Sequence, residues 1–448
     1  MQILFIFILI FFFGYLASWI ISKSLSLLER IGLSYLLGLG LTTLLLFCFS
    51  WLGVKITKFN IVEIVSLSLS FILFGLFLMK RGVGLRLTDL QKIFSELNKY
   101  EKIILVLIGI MFLSSFMISF YYPVYVWDAL ALYDFTGKIV AQTGYFTQIA
   151  SQFFYFAQYP LLVSLGHTIV YLFGGANPQF IYPIYLISFA LIFFSFVRRE
   201  SGRFLALLAT MVLVTNPTLF AHSTIAYTNL PYTAFYAAGI LFLAHGIVHD
   251  KKDYLFLSSI LIGLSTWARA VEPFWLAEIL IILGYSFYKK SIYPLLIFLL
   301  PLLLIRMPWS IFQAKLYGGF YSTSGQISLL SPILNQGLNF KRILDVSIYL
   351  YQSVVASWGP LFALFLIALF IMFTRKIIKR DLVLLLIIVA NFLLLFTGTY
   401  IFSIRFPEWK EIPDSAVRIS MFFPPLMIYF ISLILGAKSS LSKTKPLT

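Results

Sequence analysis

Residues 103–121 read IILVLIGIMFLSSFMISFY and contain no charged side chain. A helix of about 20 apolar residues crosses the ~30 Å hydrocarbon core of a bilayer. The block is rich in Ile, Leu and Phe and shows no two-residue alternation. It therefore predicts a transmembrane helix and not a strand of an outer-membrane barrel. Blocks of the same kind recur along the 448 residues of the chain.

The composition leads to the same fold class. Hydrophobic residues make up 61% of the chain and charged residues only 11%, whereas roughly a quarter of an ordinary soluble domain is charged. A soluble protein of this composition could not cover its own surface with polar groups. The sequence therefore predicts an all-α polytopic membrane protein.

We predict about 13 transmembrane helices, within a range of about 11–14, because helix ends derived from sequence are uncertain by several residues. The predicted helices lie near residues 3–21, 33–51, 61–79, 103–121, 181–197, 203–220, 228–247, 254–270, 273–288, 291–308, 354–374, 381–400 and 418–436.

The net charge of +16 comes from 33 Lys and Arg residues against 17 Asp and Glu residues. The basic residues cluster in alternate, mostly short connections, such as 80–102, 198–203 and 375–380. Clusters of this kind mark the cytoplasmic side of membrane proteins. We therefore expect an outside N-terminus and a cytoplasmic C-terminus in the cell membrane, and the same distribution argues against a nucleic-acid partner.

The chain divides into three predicted parts. Residues 1–102 form an N-terminal three-span extension with a basic cytoplasmic loop. Residues 103–436 form a transmembrane core, and residues 437–448 form a cytoplasmic tail.

The predicted outer loops of the core are long, at 122–180, 309–353 and 401–417. Long connections in a compact protein are often functional. The charge alternation requires that the apolar stretch 160–175 does not cross the membrane. We therefore expect the first loop to be helical and to carry interfacial helices.

Asp128 directly follows a predicted span and begins the segment Asp-Ala-Leu-Ala-Leu-Tyr-Asp. Two interpretations of this carboxylate are open. Asp128 could cap the N-terminus of a following helix, where a carboxylate is stabilised. Alternatively, it could act as a general base at the membrane surface and take a proton from an acceptor hydroxyl.

Four cations near the predicted outer side are candidate ligands of a phosphate: Lys138, Arg269, Arg306 and Arg418. Arginine suits phosphate because its planar fork donates two parallel hydrogen bonds. Simpler interpretations also exist, because isolated arginines can be snorkelling anchors. Lys138 could pair with Asp134 at i,i+4, and Arg269 could pair with Glu272.

The four histidines give weaker indications. His245 and His249 have a spacing that can bind a metal, but they lie beside Asp250 and Lys251, which favours a solvated helix end. No protein-only metal site is predicted, and no cofactor is firmly indicated. A divalent metal shared with a substrate phosphate stays open.

Several short motifs follow one another along residues 103–436. They are Trp-Asp-Ala-Leu-Ala-Leu-Tyr-Asp at 127–134, Tyr-Pro-Leu-Leu at 159–162, Ala-Tyr-Thr-Asn-Leu-Pro at 226–231, Ser-Thr-Trp-Ala-Arg-Ala-Val-Glu-Pro at 265–273, Met-Pro-Trp-Ser at 307–310, and Arg418 before Phe-Phe-Pro-Pro. In this order they resemble the GT-C superfamily of polytopic membrane glycosyltransferases. Protein O-mannosyltransferases and the aminoarabinose transferases of lipid A belong to that superfamily.

The resemblance implies an inverting transfer of a sugar from a polyprenyl-phosphate donor to an acceptor on the outer face of the membrane. Asp128 would be the catalytic carboxylate, and the four cations would hold the lipid phosphate. Further candidate contacts of the donor or acceptor are Tyr133, Asp134, Tyr159, His222, Tyr227, Asn229 and Glu272.

Other classes of membrane protein compete with this interpretation. A ligase or polymerase of surface polysaccharides would use the same outer arginines. A transporter or flippase of lipid-linked glycans would carry ionisable groups near the bilayer midplane, where Glu63 and Asn391 are weak candidates. A structural scaffold is the remaining class.

Overall fold

The computed structural model describes residues 1–80, 84, 97–146, 159–269, 273–317, 339–375, 378–406, 408–411 and 413–441. Every regular element in these ranges is a helix. The all-α class is therefore confirmed for the described part of the chain.

The first half of the chain contains nine helices in the described ranges. They are α1 Gln2–Ile21, α2 Leu27–Trp51, α3 Lys58–Leu78, α4 Lys99–Tyr121, α5 Phe135–Thr143, α6 Leu162–Leu172, α7 Ile181–Ser201, α8 Arg203–Val214 and α9 Pro217–His222. A π-helical turn, Ala129–Asp134, leads into α5.

The second half continues the bundle. Its helices are α10 Asn229–His249, α11 Lys252–Ala268, α12 Trp275–Tyr288, α13 Tyr293–Tyr317, α14 Phe340–Leu350, α15 Pro360–Thr374, α16 Lys379–Arg405, α17 Pro413–Ile419 and α18 Phe423–Leu441.

Nine helical segments in the described ranges are long and apolar enough to cross a membrane: α1–α4, α7, α10, α13, α16 and Ser415–Gly436, which includes the end of α17 and most of α18. A tenth span is reached if the segment containing α14 and the helix α15 form one broken span, since the two are bent by 108°. Helices α8, α11 and α12 coincide with predicted spans but are shorter, at 12, 17 and 14 residues. A multi-span membrane protein is confirmed, and the count of thirteen stays a prediction.

Two predicted helices are wrong at their boundaries. The predicted helix 203–220 ends at Val214. Asn216 caps a new helix, since its side chain accepts the Leu219 N–H, and Pro217 lies in the first turn of that helix. Proline is favoured in the first turn of a helix, where its missing N–H needs no partner. The predicted helix 354–374 is broken at Gly359, whose φ of 55° lies in the left-handed region.

Two predicted outer loops also contain more helix than expected. Helix α14 lies inside the predicted loop 309–353, and α16 continues to Arg405, into the predicted loop 401–417.

The stretch 160–175, for which the charge pattern predicts no crossing, contains the 11-residue helix α6. At 1.5 Å per residue such a helix is about 16 Å long, about half of the ~30 Å hydrocarbon core. Its residues are buried against α2, α5 and the start of α7, and the side chains of Leu165 and His167 are fully buried. The helix thus belongs to the protein core, not to the bilayer surface.

The connections between the helices lie at two ends of the bundle, and contacts between side chains and backbones identify each end. At one end Arg199 pairs with Glu29 at 2.5 Å and Arg203 pairs with Glu101 at 2.9 Å. At the other end the Ile56 N–H donates to the Gly144 carbonyl at 2.8 Å. We call the second the Asp128 end, because Asp128 lies there. Among the described residues, the connections at these two ends belong to the two different sets that the charge pattern distinguished.

The N-terminal helices share one core with the rest of the bundle. Tyr35 on α2 donates to the Ile181 carbonyl at 3.1 Å, and the Trp267 indole on α11 donates to Thr43 on α2 at 3.0 Å. Hydrogen bonds of this kind are favoured between helices in hydrocarbon, where water offers no alternative partner. Helix α2, which belongs to the predicted N-terminal extension, is thus joined to the core by hydrogen bonds.

Helices α1 and α2 approach to backbone contact at two glycines. A Cβ atom on Gly14 would lie 1.9 Å from the Ser34 carbonyl oxygen, and one on Gly38 would lie 2.1 Å from that of Ile10. Small residues permit this approach, which is the main source of attraction between helices in lipid. The α1–α2 pair therefore depends on these two positions.

We predict that Gly38→Ala destabilises the protein by about 1–3 kcal/mol, because the added methyl group forces the two backbones apart. The thermal unfolding midpoint in detergent measures the effect. Gly109→Ala on α4 is the matched control, since a Cβ atom added there would meet no described atom within 4 Å. Equal midpoints for the two variants would contradict the close-packing argument.

Candidate functional site

Asp128 is paired with Arg418 at one end of the bundle. The Arg418 Nη1 atom lies 3.2 Å from Asp128 Oδ2, although the two residues are 290 positions apart in the chain. The Asp128 side chain is 41% exposed and that of Arg418 is 19% exposed. An accessible carboxylate and a largely buried guanidinium thus meet at a surface that a ligand can reach.

The local backbone tests the helix-cap interpretation of Asp128. It precedes the π-helical turn with helical angles, φ −62° and ψ −34°, and its side chain makes no capping hydrogen bond. A capping residue normally adopts extended angles and accepts an N–H of the first turn. The helix-cap interpretation is therefore wrong, and the carboxylate points to Arg418.

Two aromatic residues extend this contact. The Arg418 Cζ atom lies 5.4 Å from the centre of the Tyr227 ring, within the range of a cation–π interaction. The Tyr227 ring lies 6.1 Å from the ring of His222, whose Nδ1 atom is 2.9 Å from the Thr218 carbonyl oxygen. We call Asp128, Arg418, Tyr227 and His222 the Asp128 cluster.

Further predicted contact residues border the cluster. Tyr133 lies one turn after Asp128, and its hydroxyl is 3.3 Å from that of Thr228. Its ring packs edge-on against Tyr159 with centroids 6.0 Å apart. Asn229 begins α10 and is 3% exposed, and its side-chain nitrogen has no hydrogen-bond partner among the described residues.

Asp134 lies below this surface, in a buried network that joins α5 to α6. Its side chain is 1% exposed, and Lys138 Nζ lies 2.7 Å from its Oδ2 atom, which confirms the predicted i,i+4 pair. The Nδ1 atom of His167 lies 3.2 Å from Asp134 Oδ1, and the Tyr171 hydroxyl donates to the same oxygen. His167 Nε2 in turn lies 3.0 Å from the Tyr182 hydroxyl.

These neighbours set the charge of Asp134. Burial by itself raises the pKa of this carboxyl, but His167, Lys138 and Tyr171 outweigh it and lower the pKa to about 2. Burial also lowers the pKa of His167. We therefore assign an ionised Asp134 beside a neutral imidazole, with Lys138 as the balancing cation.

The other two predicted arginines lie on neighbouring helices, and Arg306, the fourteenth of the 25 residues of α13, lies near the middle of its helix and not at the predicted outer end of a span. Arg306 on α13 lies over the Trp275 ring at 4.6 Å, and its Nη1 atom is buried and has no hydrogen-bond partner in the described part of the chain. Arg269 immediately follows α11, where its N–H donates to the Ser265 carbonyl. Glu272 lies outside the described residues, as does any pairing of Arg269 with it.

One group of three potential metal ligands occurs among the described residues, at the opposite end. Glu200 Oε1 lies 3.6 Å from His245 Nδ1 and 3.7 Å from His249 Nε2. Two arginines contact the same groups: Arg380 pairs with Glu200 at 2.8 Å, and Arg199 Nη1 lies 3.4 Å from His245 Nε2. Their positive charge opposes a metal ion at this position.

The sequence reasoning missed Glu278 on α12, which is fully buried and bonded to Tyr236 and Asn391. One signal could have revealed it, because an acid inside a predicted span usually marks a functional or structural polar site.

Compared with known protein families, curated proteins and solved structures, the chain matches none of them. Any functional inference therefore depends on the side chains themselves.

We predict that Asp134→Asn destabilises the protein by about 2 kcal/mol at pH 7. This is the free energy that corresponds to the lowering of the Asp134 pKa from 3.8 to about 2 on folding. A carboxyl whose pKa falls on folding stabilises the protein above its ordinary pKa of 3.8 and loses this effect as the pH falls towards 2. Thermal midpoints of the variant and the wild type should therefore stay apart from pH 7 to about pH 4 and converge as the pH falls from there towards 2.

The matched control is Asp345→Asn, which breaks an exposed pair with Lys410 at 3.1 Å. Exposed pairs contribute about 0–1 kcal/mol, so its midpoint should stay close to that of the wild type. A gap between Asp134→Asn and the wild type that is independent of pH would refute the proposed ionisation.

Proposed function

We propose that this protein is an inverting membrane glycosyltransferase that moves a sugar from a polyprenyl-phosphate donor to an acceptor on the outer face of the membrane. The observation that supports it is the pairing of Asp128 with Arg418 at 3.2 Å. The sequence assigns these two residues complementary roles, and they meet at an accessible end of the bundle.

In the proposed reaction an acceptor hydroxyl attacks the anomeric carbon of the donor sugar. The bond from that carbon to the phosphate oxygen breaks, the hydroxyl proton passes to Asp128, and the lipid phosphate leaves as an anion. Asp128 supplies general-base catalysis, and fixed cations stabilise the departing phosphate.

Arg418 suits the second role because a guanidinium carries five N–H donors. It can contact a phosphate while its Nη1 atom holds Asp128. The buried Nη1 atom of Arg306 is a further N–H donor, whereas Lys138, 53% exposed, is paired with Asp134, so that this pair adds no net charge. Arg269 belongs to the same proposed set, and a divalent metal shared with the substrate phosphate is compatible with it.

The proposal requires a defined topology. Thirteen crossings would place the N-terminus outside, the C-terminus in the cytoplasm and the Asp128 end on the outer face of the cell membrane. The basic residues that pair at the opposite end agree with the positive-inside rule.

We predict the following labelling pattern in a Cys48→Ala background, which lacks the native thiol. Tyr125→Cys, at a position that is 56% exposed near Asp128, should react with a membrane-impermeant maleimide in intact cells. Ser291→Cys, at an exposed position between α12 and α13, should react only after lysis. The reverse pattern would place the Asp128 end in the cytoplasm and remove the proposed substrate from reach.

A second candidate function is transport of a lipid-linked glycan. Glu278 favours it, because transporters carry ionisable groups inside the bundle. A transporter would move its substrate without breaking the bond between sugar and phosphate, so product analysis separates the two functions.

We predict that the purified protein releases polyprenyl phosphate from at least one member of a panel of polyprenyl-phosphate sugars. Asp128→Asn should lower that rate by about 10²–10⁴-fold, the usual contribution of a general base. Arg418→Lys should lower it as well, because lysine keeps the charge but loses the planar fork.

Asp345→Asn is the control, since it removes an acid at the same end outside the Asp128 cluster. It should leave the rate unchanged. Unfolding midpoints show whether each variant is folded. A folded Asp128→Asn variant with full activity would exclude Asp128 as the base, and a wild type that cleaves no donor would favour transport.

A further inference from the structure

Three polar side chains from three helices meet in the interior of the bundle. Tyr236 on α10, Glu278 on α12 and Asn391 on α16 are each fully buried. Asn391 lies near the middle of α16, far from both ends of that helix. A polar group in such surroundings must find its partners within the protein.

The three side chains form a closed ring of hydrogen bonds. The Tyr236 hydroxyl lies 2.7 Å from Glu278 Oε2 and 2.7 Å from Asn391 Oδ1. Asn391 Nδ2 lies 2.9 Å from Glu278 Oε1, and it also lies 3.0 Å from the Ile387 carbonyl oxygen. All four distances lie within the normal range.

A count of hydrogens decides the charge of Glu278. The two amide hydrogens of Asn391 serve Glu278 Oε1 and the Ile387 carbonyl. Tyr236 has one hydroxyl hydrogen but two acceptors at 2.7 Å. With an ionised Glu278 one of these two contacts would bring two oxygens together without a hydrogen between them. A carboxylic acid supplies the missing hydrogen by donating from Oε2 to the Tyr236 oxygen, and Tyr236 then donates to Asn391.

The surroundings agree with a neutral group. In the described part of the chain, no Lys, Arg or His lies within ion-pair distance of the Glu278 carboxyl. The Tyr236 ring packs against Phe274 and Phe422 and stacks on Tyr232 at 5.4 Å. An unpaired carboxylate in such a site would be strongly disfavoured, so the group takes up a proton instead.

We propose that Glu278 is a proton-binding site inside the membrane, occupied at neutral pH, whose proton closes the ring between α10, α12 and α16. The ligand is the proton itself. The proposal is independent of the transferase function, because it depends only on the three side chains and their hydrogens.

The site lies close to Arg306. Glu278 lies one turn after Trp275, the first residue of α12. The Arg306 guanidinium lies over the ring of Trp275. Loss of the proton leaves the ring one hydrogen short and places an unpaired negative charge between the helices.

The test compares the wild type with Glu278→Gln by infrared difference spectroscopy of the purified protein at pH 7. Glutamine is isosteric with the protonated acid: its carbonyl accepts from Asn391 and its amide donates to Tyr236. We expect the wild type to show the carbonyl band of an un-ionised carboxylic acid, which the variant lacks. A carboxylate band in its place would overturn the proposal.

Glu63→Gln is the matched control, because Glu63 is exposed near the start of α3 and should lose a carboxylate band instead. Thermal midpoints give a second, independent measurement. Glu278→Gln should keep the wild-type midpoint, whereas Tyr236→Phe should lower it, because it leaves the Asn391 Oδ1 atom without a donor and the Glu278 hydroxyl without an acceptor. A Glu278→Gln variant less stable than Tyr236→Phe would show that the native group is charged and refute the site.

Discussion

Polar groups inside this bundle must be satisfied by other parts of the protein, because hydrocarbon offers no hydrogen bonds. At several positions the structure meets this constraint by joining helices that are distant in sequence. The Trp267 indole bonds to Thr43, Tyr35 bonds to a backbone carbonyl of α7, and Glu278 joins α10 to α16 through its two partners. Each contact fixes the rotation of a helix about its axis, which apolar packing alone would leave poorly determined.

The same constraint explains where reactive groups can be placed. Inside the bundle a carboxyl is neutral or fully paired, as at Glu278 and Asp134. At the Asp128 end, a carboxylate can stay partly exposed beside an arginine because water reaches it. The Asp128 cluster differs from the buried networks in this accessibility, and accessibility to a substrate is what a catalytic base requires.

Much of the fold could be predicted from hydropathy and charge, because both are local properties of the chain. The apolar block 103–121 lies within α4, and the alternate connections lie at opposite ends of the bundle. Helix breaks were harder to predict. Gly359 and Asn216 lie inside or beside apolar runs, and only their backbone geometry shows that the helix stops there.

The candidate site was predictable in part, because the position of a charged residue at the end of a span is also a local property of the chain. Asp128 and Arg418 each lie at the outer end of a predicted span, but their pairing depends on how α17 sits against the π-helical turn. Glu278 was not predicted as a site residue, because a single acid barely changes the mean hydropathy of a helix such as α12. Its partner Tyr236 lies 42 positions before it and its partner Asn391 lies 113 positions after it. No local sequence pattern carries information over such distances.

The pair between Glu29 and Arg199 has a consequence for biosynthesis. Glu29 is fully buried near the start of α2, and its partner follows 170 residues later. At a synthesis rate of about 5–20 residues per second, roughly 10–30 s pass before that arginine leaves the ribosome. During this interval the acid lacks this counter-charge and accepts only the Ser26 N–H of its own capping box. The final depth of the second helix is thus set by the arrival of the seventh.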